Sequence, residues 1–404
     1  MLPPPTELRQ SDRSFCPERF PIEQDHPFAT LTALISRFFR KHLSRVSTSR
    51  EWFAEIDGLR FVAILVVVIF HSNKHFFLDP SEEMPGWNVV SALSQKGWFG
   101  VQMFFVISGF ILALPFARQH LVQNRAVVLK DYYFRRLTRL EPPYIINLVV
   151  LFLFYTSLAP DHWDYVREQV PHFLVSATYT HRFFYGEWSS INHVAWSLEI
   201  EAQFYVLAPL LCQVFRIPSV WHRRLLLTAL IVAGCAIRHQ NPEIIGKHFP
   251  GQMGFFFVGF LFADIFIINW KQARSAGAWW WDIVAVTAWV SIFTLLGKYW
   301  FMVYLMPWLV LIAYAGSIRG PLCRRLLTNL WIATFGGMCY TIYLYHISIM
   351  GMTLGLLGPL QPGSVWIPFQ LLLSLGFIFA LSAVLFVAFE RPFMRPRKTS
   401  NLSK

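Results

Sequence analysis

Long apolar stretches separated by short polar segments dominate the chain from about residue 59 onward. A helix needs about 20 predominantly apolar residues to cross a hydrocarbon core of about 30 Å. On this criterion the pattern predicts an all-α, polytopic membrane helix bundle with about ten transmembrane helices. The predicted spans are 59–78, 98–117, 141–159, 196–215, 223–238, 251–269, 279–297, 299–316, 330–357 and 366–389.

Composition and charge agree with this prediction. Hydrophobic residues make up 55% of the chain and charged residues only 14%. If the N-terminus is cytoplasmic, most of the 35 Lys and Arg residues fall on cytoplasmic segments, as the positive-inside rule requires. The residues left on the opposite side are Lys74, Lys96, Arg167, Arg182, Arg238, Lys247 and Lys298. We expect both termini in the cytoplasm. The net charge of +12 then reflects topology and contact with membrane lipids, and we expect no nucleic-acid partner.

Three regions are expected along the chain. Residues 1–53 contain no convincing span and are predicted to form a flexible cytoplasmic tail, with an interfacial helix at TLTALISRFFRKHL. Residues 54–395 form the membrane domain, and 396–404 a short cytoplasmic tail. The five cysteines lack paired spacing, so no disulfide framework or metal cluster is expected.

The first predicted span carries two ionisable side chains, Arg60 and His71. They are eleven residues apart, which puts them on one helical face about 16 Å from each other. Each is costly inside a membrane, so such groups tend to face a bundle interior and mark a function. His71 and His75 are also four residues apart, but no third metal ligand is evident, and we expect no metal.

Arginines and small residues mark the next two spans. Gly97, Gly100, Ser108 and Gly109 allow another backbone to approach closely, and plain helix packing is the simpler interpretation. In RRLTRL, Arg136 and Arg139 are one helical turn apart and can converge on an anion such as a phosphate. The alternative is that they only fix topology at the lipid headgroups.

The segment from 160 to 195 is rich in His and Trp, which suits either a sugar platform or the membrane interface. It leads into a span in which Glu199 and Glu201 point about 200° apart, so only one is expected to face a common site. That carboxylate can orient an imidazole, accept a proton, or simply sit among headgroups.

Late in the chain, His346 follows Tyr343 by one turn inside another span. A lone buried His is usually a packing residue, but with His71, Arg60 and a carboxylate it indicates a polar site.

These elements together resemble the acyltransferase family 3 membrane proteins, the multispanning O-acyltransferases typified by bacterial polysaccharide acetylases. The matching segments cover roughly residues 54 to 395 in the family's order: EIDGLRFVAILVVVIFHSN, GWFGVQMFFVISGFIL, RRLTRL with PPYII, HVAWSLEIEAQFYVLAPLL, YTIYLYHISI and FERPF.

The resemblance implies transfer of an acyl group, usually acetyl from acetyl-CoA on the cytoplasmic side, to a hydroxyl of a carbohydrate or glycolipid acceptor at or across the plasma (inner) membrane of a bacterial-type cell. By position, His71, Glu201 and His346 match catalytic residues of the family. Arg60, Arg136 and Arg139 match residues expected to bind the CoA donor. His71 would remove the proton of the attacking hydroxyl, and an acyl-histidine intermediate remains an alternative to direct transfer.

One departure and one rival interpretation remain. Many relatives carry an acidic residue where this chain has Gln102, which puts a second carboxylate on that helix in doubt. The same polar residues would also serve a proton-coupled transporter or flippase, although the two halves of the chain show no convincing repeat. Acceptor identity, acyl length and oligomeric state stay open at this stage.

Overall fold

A computed structural model describes residues 37–45, 53–76, 94–240, 248–270, 277–358 and 366–394. Within these ranges the chain is helical and contains no strand, which confirms the all-α class. The helices are numbered here α1 Ala54–Phe76, α2 Gly100–Leu121, α3 Leu129–Leu158, α4 His162–Ala177, α5 His181–Tyr185, α6 Trp196–Leu211, α7 Val220–Gln240, α8 Phe249–Asn269, α9 Trp280–Leu295, α10 Met302–Arg319, α11 Pro321–Leu327, α12 Leu330–Gly337, α13 Cys339–Leu357 and α14 Ile367–Leu385.

Helices lie at all the predicted spans, and in the described part of the chain seven helical stretches are long and apolar enough to cross a membrane. These are Gly97–Leu121, Leu129–Leu158, His193–Arg216, Val220–Gln240, Phe249–Asn269, Met302–Arg319 and Phe369–Met394. The chain is therefore an integral membrane protein. The count of about ten spans and the cytoplasmic position of both termini stay predictions.

The predicted span 330–357 is not one continuous helix, because it is divided into α12 and α13 at Met338. The break follows two glycines, which weaken a helix. It also brings α12 against α1, since a Cβ on Gly336 would lie 1.7 Å from the carbonyl oxygen of Asp57. The two backbones can touch at this point only because residue 336 has no side chain.

The central contact of the bundle is the packing of α2 against α8, both largely buried. A Cβ on Gly259 of α8 would lie 2.4 Å from both Phe110 N and Val106 O of α2, and Gly109 meets Phe256 of α8 in the same way. Gly97 and Gly100 lie against the α1 backbone. The packing interpretation of these small residues is confirmed, whereas Ser108 faces the site described below.

Gly259→Ala is expected to destabilise the protein by about 1–3 kcal/mol, because the added methyl group pushes two packed helices apart. The matched change Gly351→Ala adds the same methyl group in α13, where a Cβ would meet nothing within 4 Å. It should leave stability unchanged or raise it slightly. Thermal unfolding of the detergent-purified variants measures both, and equal melting temperatures would contradict the close-packing argument.

A short helical segment from the predicted N-terminal tail docks on this bundle. Phe39 packs on Trp331 of α12 with ring centres 4.3 Å apart, and Arg391, after α14, donates to the carbonyl oxygen of Lys41 at 2.6 Å. This places Arg45 beside the start of α1. The rest of the predicted 1–53 tail except Phe53, like the predicted 396–404 tail, lies outside the described residues.

Candidate active site

A partly open cavity with charged walls lies between α1, α2, α3, α6 and α13 and has a volume of about 110 Å³. Four guanidinium groups and two carboxylates face it, so the walls carry a net positive charge that suits an anionic ligand. The charged lining residues are Arg45, Arg60, Arg136, Arg139, Glu201 and Glu390.

Two of the three arginines near the start of α3 turn toward this cavity. Arg136 and Arg139 line it, while Arg135 is exposed. They share one face because α3 begins at Leu129, well before the predicted span 141–159, and residues three apart on a helix are neighbours. The guanidinium carbon of Arg136 lies 5.9 Å from the ring centre of Tyr205. Arg136 and Arg139 thus face one cavity, as their spacing predicted, and their binding of an anion stays a prediction.

Asp57 fixes the two other arginines. Its carboxylate accepts from Arg60 at 2.6 Å and from Arg45 at 3.0 Å, and it is only 1% exposed. A buried carboxylate with two such partners holds both side chains in place. Because Asp57 offsets one positive charge and four arginines face the cavity, the region stays positive overall.

The two glutamates of α6 have different surroundings, as the helical spacing predicted. The carboxylate of Glu201 faces the cavity and accepts from the Ser108 hydroxyl at 2.5 Å and from the Tyr205 hydroxyl. Glu199 instead accepts from the backbone N–H of Arg182 at 3.1 Å. Glu201 is therefore the glutamate placed for chemistry.

The two membrane histidines are neighbours. The ring centres of His71 and His346 are 5.1 Å apart, although they come from α1 and α13. Nδ1 of the buried His346 lies 2.7 Å from the carbonyl oxygen of Tyr343. Since a carbonyl only accepts, Nδ1 donates this hydrogen bond, and in the neutral form of the ring Nε2 holds a lone pair that can receive a proton.

Tyr343 connects the histidine pair with the cavity. It lines the cavity, and its ring centre lies 5.9 Å from that of His346. Its hydroxyl donates to the Val194 carbonyl at 2.7 Å and lies 2.6 Å from the Ser197 hydroxyl, which fixes the ring. Among the described residues, the cavity lining includes neither His71 nor His346. The sequence-based idea that Glu201 orients the His71 ring is therefore not what this geometry shows, because the Glu201 carboxylate is bonded to Ser108 and Tyr205.

Several residues of the site were not identified from sequence. Arg45 comes from the segment interpreted as a flexible tail, and Tyr205 was read only as part of an apolar helix. Glu390 accepts from Thr341 through its backbone N–H at 3.1 Å and through its hydroxyl. Its presence in the FERPF element was the only available signal.

Gln102 has its hydrogen-bond partners within its own helix start. The amide nitrogen of Gln102, oriented toward its partners, donates to the carbonyl oxygens of Trp98 and Phe99 at 3.1 and 3.2 Å. Gln102 thus serves the start of its own helix. The side chain of His75 lies outside the described residues, within which no group of three His, Cys, Asp or Glu side chains is arranged to hold a metal ion.

A second histidine cluster lies in the 160–195 segment. Nδ1 of His172 is 2.9 Å from Nε2 of His181, and the Tyr185 ring stacks on both imidazoles. Nε of Arg182 donates to Nε2 of His248 at 3.2 Å. Both bonds need an unprotonated ring nitrogen. The proposed role of this segment as a sugar platform stays a prediction.

Stability should fall as the pH drops below about 6.5. Burial lowers the pKa of His181, and burial, with the nearby Arg182 charge, lowers that of His248. At a pH between these lowered pKa values and the ordinary histidine pKa, the unfolded chain binds more protons than the folded one. Acidification through this range therefore favours unfolding. Thermal unfolding in detergent across pH 5 to 8 measures this, and His181→Asn should flatten the dependence. An unchanged slope in that variant would exclude His181 as a cause.

Comparison with known proteins identifies the family. The family model described as an acyltransferase domain matches residues 53–389. The chain is 28% identical over 194 residues to the peptidoglycan O-acetyltransferase OatA of Listeria monocytogenes, covering 46% of this chain and 28% of the relative. It is 29% identical over 166 residues to a putative O-acetyltransferase of Staphylococcus aureus strain COL, covering 39% and 24%.

The O-acetyltransferase OatA of Staphylococcus aureus strain NCTC 8325 is 25% identical over 187 residues, which covers 42% of this chain and 26% of the relative. The chain thus aligns with about a quarter of the length of these curated relatives. No solved structure matches it. Because the family model covers most of the membrane domain, the chain belongs to the acyltransferase 3 family of integral membrane proteins.

Proposed function

We propose that this protein is a membrane O-acyltransferase that moves an acyl group, by default acetyl, from acyl-CoA to a hydroxyl of a carbohydrate or glycoconjugate. The observation that carries the proposal is the arginine-lined cavity, whose lining also includes Glu201 and Tyr343, with Tyr343 beside His346 of the His71–His346 pair. Family membership favours this reaction over the transporter that the sequence left open.

The cavity charge supports an acyl-CoA donor. CoA carries several phosphates, and a guanidinium group binds phosphate through a planar pair of N–H donors. Arg136 and Arg139 would hold these phosphates, while Arg60 and Arg45, already aligned by Asp57, would hold the rest of the donor. We propose that the donor enters from the cytoplasm, since that side carries the excess of basic residues in the predicted topology.

The histidine pair supports proton transfer. In the proposed step the His71 imidazole takes the proton of the acceptor hydroxyl as its oxygen bonds to the acyl carbon. The carbon–sulfur bond breaks, the CoA thiolate leaves, and the proton returns to it as the free thiol. His346, with its proton fixed on Nδ1, offers Nε2 as a second proton acceptor next to His71. Glu201 would hold Ser108 and Tyr205 in the cavity wall next to the bound thioester.

The relatives support the acceptor class. One is named a peptidoglycan O-acetyltransferase, so we propose a cell-envelope carbohydrate as the acceptor and the bacterial plasma membrane as the location. The acceptor would reach the histidine pair from the side opposite the arginines.

Purified protein in detergent, supplied with acetyl-CoA and a peptidoglycan-derived or other envelope saccharide, tests the proposal. We expect release of free CoA thiol together with an acceptor heavier by one acetyl group, detected by mass spectrometry. If folded protein neither binds acyl-CoA nor releases thiol with acceptor present, the acyl-CoA reaction is excluded and transport becomes the leading function.

A further inference from the structure

A second space lies directly beside the cavity, between α3, α6 and the segment 178–183. This lateral groove has a volume of about 720 Å³, and its lining includes Phe134, Leu137, Ala202 and Val206. The groove and the cavity share the lining residues Arg136, Leu140, Leu198, Glu201, Tyr205 and Tyr340. One wall of the cavity is therefore also a wall of the groove.

The groove faces the surroundings of the bundle with apolar side chains. Phe134, Leu137 and Val206 are 50%, 60% and 65% exposed, and all three belong to helical stretches long and apolar enough to span a membrane. Val206 lies within the predicted span 196–215, whereas Phe134 and Leu137 precede the predicted span 141–159 and lie toward the membrane boundary. The groove thus leads from the polar residues Arg136 and Glu201 to an exposed apolar surface of the bundle.

We infer that the lateral groove receives the hydrocarbon chain of donor acyl-CoAs longer than acetyl, an inference that rests on the proposed function. A donor with its phosphates on Arg136 and Arg139 and its thioester near Glu201 places its acyl carbon at the shared wall. A longer chain attached to that carbon then continues sideways into an apolar space. The bonds made and broken are those of acetyl transfer, and the chain stays attached to the acyl carbon.

A donor chain fits the groove better than the lipid tail of an acceptor. The groove joins the cavity at Arg136 and Glu201, which belong to the proposed donor site, so a chain attached to the acyl carbon reaches it directly. Each methylene that the groove removes from water favours binding by up to about fourfold. Octanoyl-CoA should therefore be used at least as efficiently as acetyl-CoA.

Three residues on one face of α6 provide a matched test, since 202, 206 and 210 are four residues apart. Ala202 and Val206 line the groove. Leu210 is 68% exposed, close to the 65% of Val206, but is not among the groove-lining residues. Ala202→Phe and Val206→Trp fill the groove, whereas Leu210→Trp adds similar bulk outside it.

The measurement is kcat/KM for octanoyl-CoA relative to that for acetyl-CoA, with the same saccharide acceptor. We expect this ratio to fall by about tenfold or more in Ala202→Phe and in Val206→Trp, which corresponds to two or more methylene groups that no longer bind in the groove. In Leu210→Trp the ratio should stay at the parent value. Because acetyl-CoA use is measured in each variant, a folding defect lowers both activities and leaves the ratio unchanged.

Two outcomes overturn the inference while the proposed function stands: acetyl-CoA is used but octanoyl-CoA is not, or the ratio is the same in all three variants. If no acyl-CoA is consumed by the parent protein, the proposed function itself fails. The two failures are thus distinguished by the parent protein alone.

Discussion

His71→Ala is expected to lower the rate of acyl transfer by about 10²–10⁴-fold, the range typical for loss of a positioned proton acceptor. A sugar hydroxyl is a poor nucleophile, and its proton must leave as the oxygen attacks the thioester. His71 lies beside His346 but does not line the arginine cavity described here. The Kd for CoA should therefore remain near the parent value while kcat collapses, and a binding assay with CoA run beside the thiol-release assay separates the two.

The control is His222→Ala, which removes an exposed imidazole on α7 that bonds to Ser219. It should retain parent activity. His346→Ala removes the neighbouring ring and should also lower kcat without changing CoA affinity. Parent-like turnover by His71→Ala would show that the proton acceptor lies elsewhere, with Glu201 as the next candidate because its carboxylate already lines the cavity.

Local spacing predicted much of this site. The three-residue interval between Arg136 and Arg139 depends only on helical geometry, as does the divergence of Glu199 from Glu201. Both arrangements are present because α3 and α6 are continuous helices at these positions. The same reasoning failed at 330–357, where Gly336 packs against the α1 backbone and the chain turns at Met338.

Contacts between distant segments were beyond such reasoning. Arg45 joins the cavity because a segment before the first span docks on α12 and pairs with Asp57. Ser108 meets Glu201 because α2 packs near α6. The periodicity of a sequence does not tell which helices become neighbours. The pairing of His71 with His346 was therefore expected only from the cost of burying two imidazoles. The distance between the two rings could be known only from the folded structure.

Replacing both arginines of α3, Arg136→Ala with Arg139→Ala, is expected to raise the Kd for CoA by about 10²-fold or more. A hydrogen bond to a charged group contributes about 1.5–3 kcal/mol, and about 1.4 kcal/mol corresponds to a tenfold change in Kd. Each arginine lines the cavity, so the double change removes two of its four positive side chains. Isothermal titration of the purified variants with CoA measures the effect.

Arg135→Ala is the matched control, because Arg135 adjoins Arg136 on the same helix but is exposed outside the cavity. It removes one positive charge from the same helix end, so it separates phosphate binding from a general contribution of the arginines to topology or lipid contact.

If only the double variant weakens CoA binding, the pair binds the donor. If Arg135→Ala weakens binding equally, the arginines act through the overall positive charge of this end of α3, which salt would screen. If neither change affects affinity, the donor phosphates lie elsewhere, and Arg45 and Arg60 beside Asp57 become the residues to replace.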